Sequence, residues 1–119
     1  MKPAVALLAV ATLFTAPSAA FAWERIATQE QLIERIADRT QTGNGNTWVY
    51  HADGRITGTW SGQPMAGRWE WHQGFFCRNV RVGTNPESGT DCQRIEIRGN
   101  EVRITRDQGR GDSAIANIQ

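Results

Sequence analysis

The sequence is poor in the residues from which metal centres and nucleophilic active sites are built: it has two histidines, His51 and His72, and two cysteines, Cys77 and Cys92. Neither histidine stands in an H-x-H or H-x-x-x-H spacing, so no metal ligand set is expected. There is no G-x-S-x-G, which removes the nucleophile-elbow hydrolases, and Ser61 in Trp60-Ser61-Gly62 reads as a turn residue. Glu70, between Trp69 and Trp71, is the best single carboxylate for acid–base work. Strand alternation points it into solvent, however, and no second carboxylate is placed with it. The run Gly43-Asn44-Gly45-Asn46-Thr47-Trp48 has tryptophan where a dinucleotide fingerprint needs its third glycine, and it precedes a strand rather than a helix. No catalytic residue, no cofactor and no enzymatic activity is expected.

Excess charge of one sign is also missing. Lys2 is the single lysine, and beyond residue 22 twelve arginines face twelve aspartates and glutamates. That balance argues against nucleic acid as a partner, because holding a phosphate backbone needs a basic excess. Arg110-Gly111-Asp112-Ser113 spells an integrin-recognition tetrapeptide, a coincidence in a chain rich in arginine, glycine and aspartate.

No hydrophobic run is long enough to span a bilayer; the longest, Ala4 to Ala16, stops at Pro17. Lys2 before it and the small-x-small pair Ala20-Phe21-Ala22 after it make residues 1–22 a signal peptide, with the mature chain starting at Trp23. No cysteine follows the cut, so no lipid anchor is indicated. The expected location is periplasmic or secreted, with no membrane span after cleavage. Residues 23–119 then form one domain with a modest core. In an oxidising compartment Cys77 and Cys92 should pair, adding about 3 kcal/mol of stability. Their spacing is not the C-x-x-C of a redox pair, and a two-cysteine zinc site lacks its two further ligands.

What is present is first a helix and then a series of strands. Thr28 with Gln31 makes a capping box, and Leu32, Ile33, Ile36 and Ala37 recur at helical spacing, which predicts an amphipathic helix over 29–39. The polar run Thr40 to Asn46 is expected to end it. From Thr47 the period changes to two, predicting strands near 47–51, 55–60, 66–72, 75–82, 92–98, 101–106 and 113–118. A three-residue loop with left-handed Gly54 pairs Tyr50 with Ile56 and Trp48 with Gly58. The same device at Gly74 would pair Trp71 with Phe75 and Trp69 with Cys77, burying the disulfide against tryptophans. A two-residue turn at Gly99-Asn100 pairs Arg98 with Glu101 and Glu96 with Arg103 on a solvent face, with Ile95, Ile97, Val102 and Ile104 behind them. An inward Cys92 would need a bulge near Gln93. The fold class is mainly β (α+β): one N-terminal amphipathic helix, then a six- to seven-stranded antiparallel meander curled into a small sheet or barrel.

Several of these segments also carry a resemblance. Asp53-Gly54-Arg55-Ile56-Thr57-Gly58, Gly67-Arg68-Trp69-x-Trp71, Gly74-Phe75-Phe76-Cys77-Arg78 and Asp91-Cys92-Gln93 follow one another over most of the chain beyond residue 22, before Thr105 to Gly111. The layout resembles a family of small exported bacterial one-disulfide β domains, some of which bear the label dihydrodipicolinate reductase. The resemblance implies no catalytic residue. That reductase needs a two-domain dinucleotide fold and a cytosolic cofactor, which 97 exported residues do not supply.

Trp48, Tyr50, Trp60, Trp69, Trp71 and Phe75 project to one expected face. They form the core of a small domain, or some of them line a barrel mouth and hold an apolar or planar ligand. Two function classes follow. One is an exported binding or accessory protein for an apolar small molecule or a protein partner. The other is a protease- or lysozyme-type inhibitor or stress factor, presenting Trp23–Ile26 or the loop Gly83–Thr90 as an exposed segment.

Overall fold

The computed structural model describes residues 22–119, with positions 3, 4, 6, 9 and 11 besides. The signal peptide expected over 1–22 thus lies, Ala22 and those positions apart, outside the described residues. Among the described residues no helix is long and apolar enough to cross a membrane.

The elements run β1 (Glu24–Arg25), α1 (Gln29–Arg35), β2 (Thr40–Gly43), β3 (Asn46–Tyr50), β4 (Arg55–Trp60), β5 (Gln63–His72), β6 (Phe75–Val82), β7 (Asp91–Arg98), β8 (Glu101–Thr105), a helical turn α2 (Arg106–Gly109) and β9 (Ser113–Ile118). Strands β2 to β8 pair in sequential antiparallel order, and β9 joins β8 to β2, closing an eight-stranded barrel. Closure removes the exposed edges that so short a set of strands would otherwise leave. The short β1 lies outside the ring. It pairs Glu24 with Ile97 and Arg25 with Glu96, taking over the edge of β7 where β6 ends.

One barrel end is plugged. Thr28 caps α1 through its hydroxyl, which accepts from the Gln31 N–H at 3.2 Å, and the Gln31 side chain returns to the Ala27 N–H at 2.7 Å. This reciprocal cap fixes where the helix starts. Leu32 and Ile36 are fully buried, with Ile26 beside them, and pack into the same cluster as Tyr50, Trp69, Phe76, Ile95 and Ile97. The helix covers two turns rather than the span 29–39: Ile36 leaves helical geometry and Asp38 is left-handed (φ 62°), which turns the chain into β2. Ile33, expected in the apolar stripe, is 38% exposed.

The register over 51–54 and the Arg98–Glu101 and Glu96–Arg103 pairs are as the turn chemistry predicts. Four other expectations are corrected. Thr40–Gly43 is a strand and not a polar linker, joined to β3 by a turn at Asn44-Gly45, both left-handed (φ 51° and 79°). The β5–β6 turn contains two residues, Gln73 and Gly74, both left-handed, so Trp71 pairs with Phe76, Glu70 with Cys77 and Trp69 with Arg78. Phe75 therefore leaves the aromatic face, and Phe76 replaces it. Cys77 and Cys92 are bonded and sit directly opposite each other; Cys77 is buried as expected, but the pair lies on the outer side of the sheet. Gln93, Ile95 and Ile97 alternate inward without a bulge, so Cys92 points out. Finally, the Glu96–Arg103 pair is not fully solvated. Trp23 lies against the Arg98 and Arg103 guanidiniums at 4.2 and 4.6 Å, and the Glu96 side chain is 12% exposed.

Candidate functional site

Among the described residues the other barrel end carries only the helical turn α2. Its connections are the tight turns at 44–45 and 61–62, the loop 83–90 and the segment 106–112, all largely polar. Here the barrel contains a cavity of about 370 Å³. Two inward positions in its wall carry no side chain. A Cβ on Gly67 would collide with the Asn79 carbonyl and stand 2.7 Å from Val80 Cγ1, and one on Gly58 would meet the Thr47 carbonyl and Trp48 Cα. Strands β4 and β5 bend so tightly against their neighbours that only glycine fits, the usual role of glycine at a barrel corner. These positions add nothing to the interior, which leaves room between the larger residues.

The cavity is built by alternation along the strands. Trp48 and Tyr50 come from β3, Ile56 and Trp60 from β4, and Met65 from β5. Arg78, Val80 and Val82 come from β6, and Ile104 from β8. Gln93, Ser88, Arg106 and the stretch Asp112 to Ala114 complete the lining. Trp60 is 40% exposed at the mouth, tilted at 49° to Trp48 with centroids 5.7 Å apart. Tyr50, Arg78 and Gln93 lie at mid-barrel, since the next inward residues, Trp69 and Phe76, belong to the plugged end.

Burial pushes the Tyr50 hydroxyl up to about 12, against the opposing pull of the Arg78 guanidinium and the nearby Trp48 indole. It therefore remains a neutral O–H at any physiological pH. The Trp48 Nε1–H itself meets no acceptor with hydrogen-bond geometry among the described residues, although Trp48 is only 6% exposed. Gln41, its cross-strand partner, is fully buried with both amide atoms unpaired among those residues. Buried polar groups without partners are uncommon and call for a water or a ligand.

The mouth is organised by Asp91. Its carboxylate accepts from the Gln93 amide at 2.8 Å and the Asp107 N–H at 3.0 Å, and faces the Arg106 guanidinium at 3.4 Å. Partial burial would raise its pKa, but these donors and the charges of Arg78 and Arg106 hold it below the usual carboxylate range. The segment 106–112, where Asp107 and Gln108 are left-handed, is thereby tied to the barrel wall.

Of the six aromatics singled out from sequence, Trp48, Tyr50 and Trp60 line this cavity. Trp69 belongs to the plugged end: it stacks on Phe76 at 5.5 Å, and its indole N–H donates to the His51 carbonyl at 2.8 Å. Trp71 is half-buried beside a second, more open depression of about 300 Å³ that includes Glu70, His72 and the 52–54 turn. Phe75 lies outside under the Arg25 guanidinium. The histidines are far apart in role: His51 Nε2 contacts the Thr57 hydroxyl at 2.6 Å, and His72 contacts Glu70 at 2.9 Å. Among the described residues no three histidine, cysteine, aspartate or glutamate side chains gather into a metal-type cluster. Neither segment proposed for an inhibitor is a free extended strand. Trp23–Ile26 is paired to β7 with Ile26 buried, and the loop 83–90 is pinned through Ser88, whose N–H donates to the Val80 carbonyl at 2.8 Å.

Sequence reasoning missed Arg78, Met65 and Val82 as lining residues. Placing a two-residue turn at Gln73-Gly74 would have exposed the period Phe76, Arg78, Val80, Val82 as the inward face. No family model, curated protein or solved structure matches this chain.

Proposed function

We propose that this chain is an exported binding protein that holds a small apolar ligand in the half of its barrel opposite α1. The observation that carries this reading is the 370 Å³ cavity, walled by Trp48, Ile56, Met65 and Val80 and open at Trp60. Its size and its lining, mostly apolar with a few polar groups, are those of small-molecule sites. The disulfide supports an oxidising compartment, periplasmic or extracellular, as the place of action. The reading assigns the chain no catalytic step.

The test is a titration of the mature protein with a neutral planar apolar probe such as 1-aminoanthracene. Saturable one-to-one binding that quenches tryptophan emission is expected. Val82→Trp, which fills the open half, should abolish it, whereas Ile33→Ala at the plugged end should leave it unchanged. Absence of saturable binding, or binding indifferent to Val82→Trp, would overturn the reading.

A further inference from the structure

A small barrel interior lined with apolar groups is an expensive place for a guanidinium. Arg78 nevertheless alternates inward between Phe76 and Val80 and lines the cavity. Among the described residues it makes one hydrogen bond, from Nη1 to the Ser88 hydroxyl at 3.0 Å, and no ion pair within 4.0 Å. Four of its five N–H donors are thus unused. Asp91 is its cross-strand partner and feels its charge, but the Asp91 oxygens contact Gln93, the Asp107 N–H and Arg106 instead. Asp112 is exposed at the rim. The Tyr50 hydroxyl, which feels the charge of Arg78, is a further donor in the lining. A cationic fork that rises from the barrel wall to the exposed Ser88 near the mouth, beside apolar walls, matches an anionic head on an apolar body.

We propose that the ligand of this cavity is an apolar carboxylate, its head held by Arg78 and its body lying against Trp48, Met65, Val82 and Trp60. This rests on the binding reading above and specifies it. Arg is suited to the role because its planar fork meets a carboxylate through two parallel hydrogen bonds. The raised Tyr50 pKa adds support, since that hydroxyl stays a donor beside the anion.

The experiment compares three probes of equal length, decanoate, decanol and decylammonium, on the full mature chain and on Arg78→Met and Arg78→Lys, by calorimetry at pH 7. Decanoate is expected to bind at least about tenfold more tightly than decanol, the discrimination that one charge-assisted hydrogen bond supplies. Arg78→Met should erase that preference while decanol affinity is kept, and Arg78→Lys should retain part of it. Equal binding of the three probes, or preference for decylammonium, would overturn the carboxylate while leaving the binding reading intact. A preference for decanoate that survives Arg78→Met would remove Arg78 as the anchor. Failure of all three probes to bind would overturn the binding reading itself. If Arg78→Met does not fold, the wild-type comparison and Arg78→Lys decide the matter.

Discussion

The two ends of the barrel are made from the same strands and the same alternation, yet one is solid and the other hollow. At the plugged end α1 delivers Leu32 and Ile36 onto Tyr50, Trp69 and Phe76; Phe76 stacks on Trp69 at 5.5 Å and lies tilted against Tyr50 at 4.4 Å. At the open end the described connections, 61–62, 83–90 and 106–112, are polar and deliver no apolar helix into the barrel. The polar hydrogen bonding differs in the same sense. Trp69 has its indole N–H satisfied by the His51 carbonyl, whereas the Trp48 N–H has no partner among the described residues. The helix-borne side chains fill one half, and the cavity lies in the other.

That division can be broken most severely at the plugged end. Phe76→Ala, at a fully buried position, should cost about 3–5 kcal/mol, read from urea denaturation. The disulfide comes next: Cys77→Ala should cost about 3 kcal/mol through the loop it closes, without changing probe affinity, because the bond lies outside the barrel. A loss of probe binding in that variant would show that the two halves are coupled. The effect of Glu96 is smaller. Its carboxylate takes two hydrogen bonds from Arg103, at 3.0 and 2.8 Å, and one from Arg94, and these arginines, Arg103 first, hold its pKa below the usual range despite partial burial. A carboxylate with a lowered folded pKa contributes stability that is present above its unfolded pKa and lost as pH falls through the folded value. Glu96→Gln should therefore cost about 1 kcal/mol at pH 7 and flatten the loss of stability below about pH 4. Trp60→Ala, at the mouth, should cost less than about 1 kcal/mol and yet weaken probe binding several-fold. A large loss of stability there would mean that the open end is core after all.

How far the sequence discloses this contrast depends on what each residue announces locally. Asp53-Gly54 and Gly99-Asn100 declare their turn types, and the residues on either side could be paired by face and charge. Asn44-Gly45 declares a turn equally well, but Thr40–Gly43 has no apolar residue to show that it is a strand, and its inward residue is the buried amide Gln41. At Gln73-Gly74 the two- and three-residue turns compete. Assuming that the cysteines belong to the core selects the wrong one, which hides Arg78 and puts Phe75 in the place of Phe76. The phase of Cys92 against Ile95 and Ile97 already points it outward. Closure of β9 onto β2 and the rotation of α1 over one end are non-local, so no short window of sequence carries them. Of the candidate site, the aromatic walls Trp48, Tyr50 and Trp60 were legible as a face, but which end of the barrel stayed empty was not.

The hollow and solid halves can be told apart by the indole N–H signals of the five tryptophans, assigned by single Trp→Phe variants and followed by two-dimensional NMR as decanoate is added. Trp48 and Trp60 are expected to shift together and saturate, while Trp69, held by the His51 carbonyl in the plugged half, and Trp23, on the outer face, stay in place. Shifts of Trp69 as large as those of Trp48, or no shift of Trp48 and Trp60 at saturating ligand, would contradict that division.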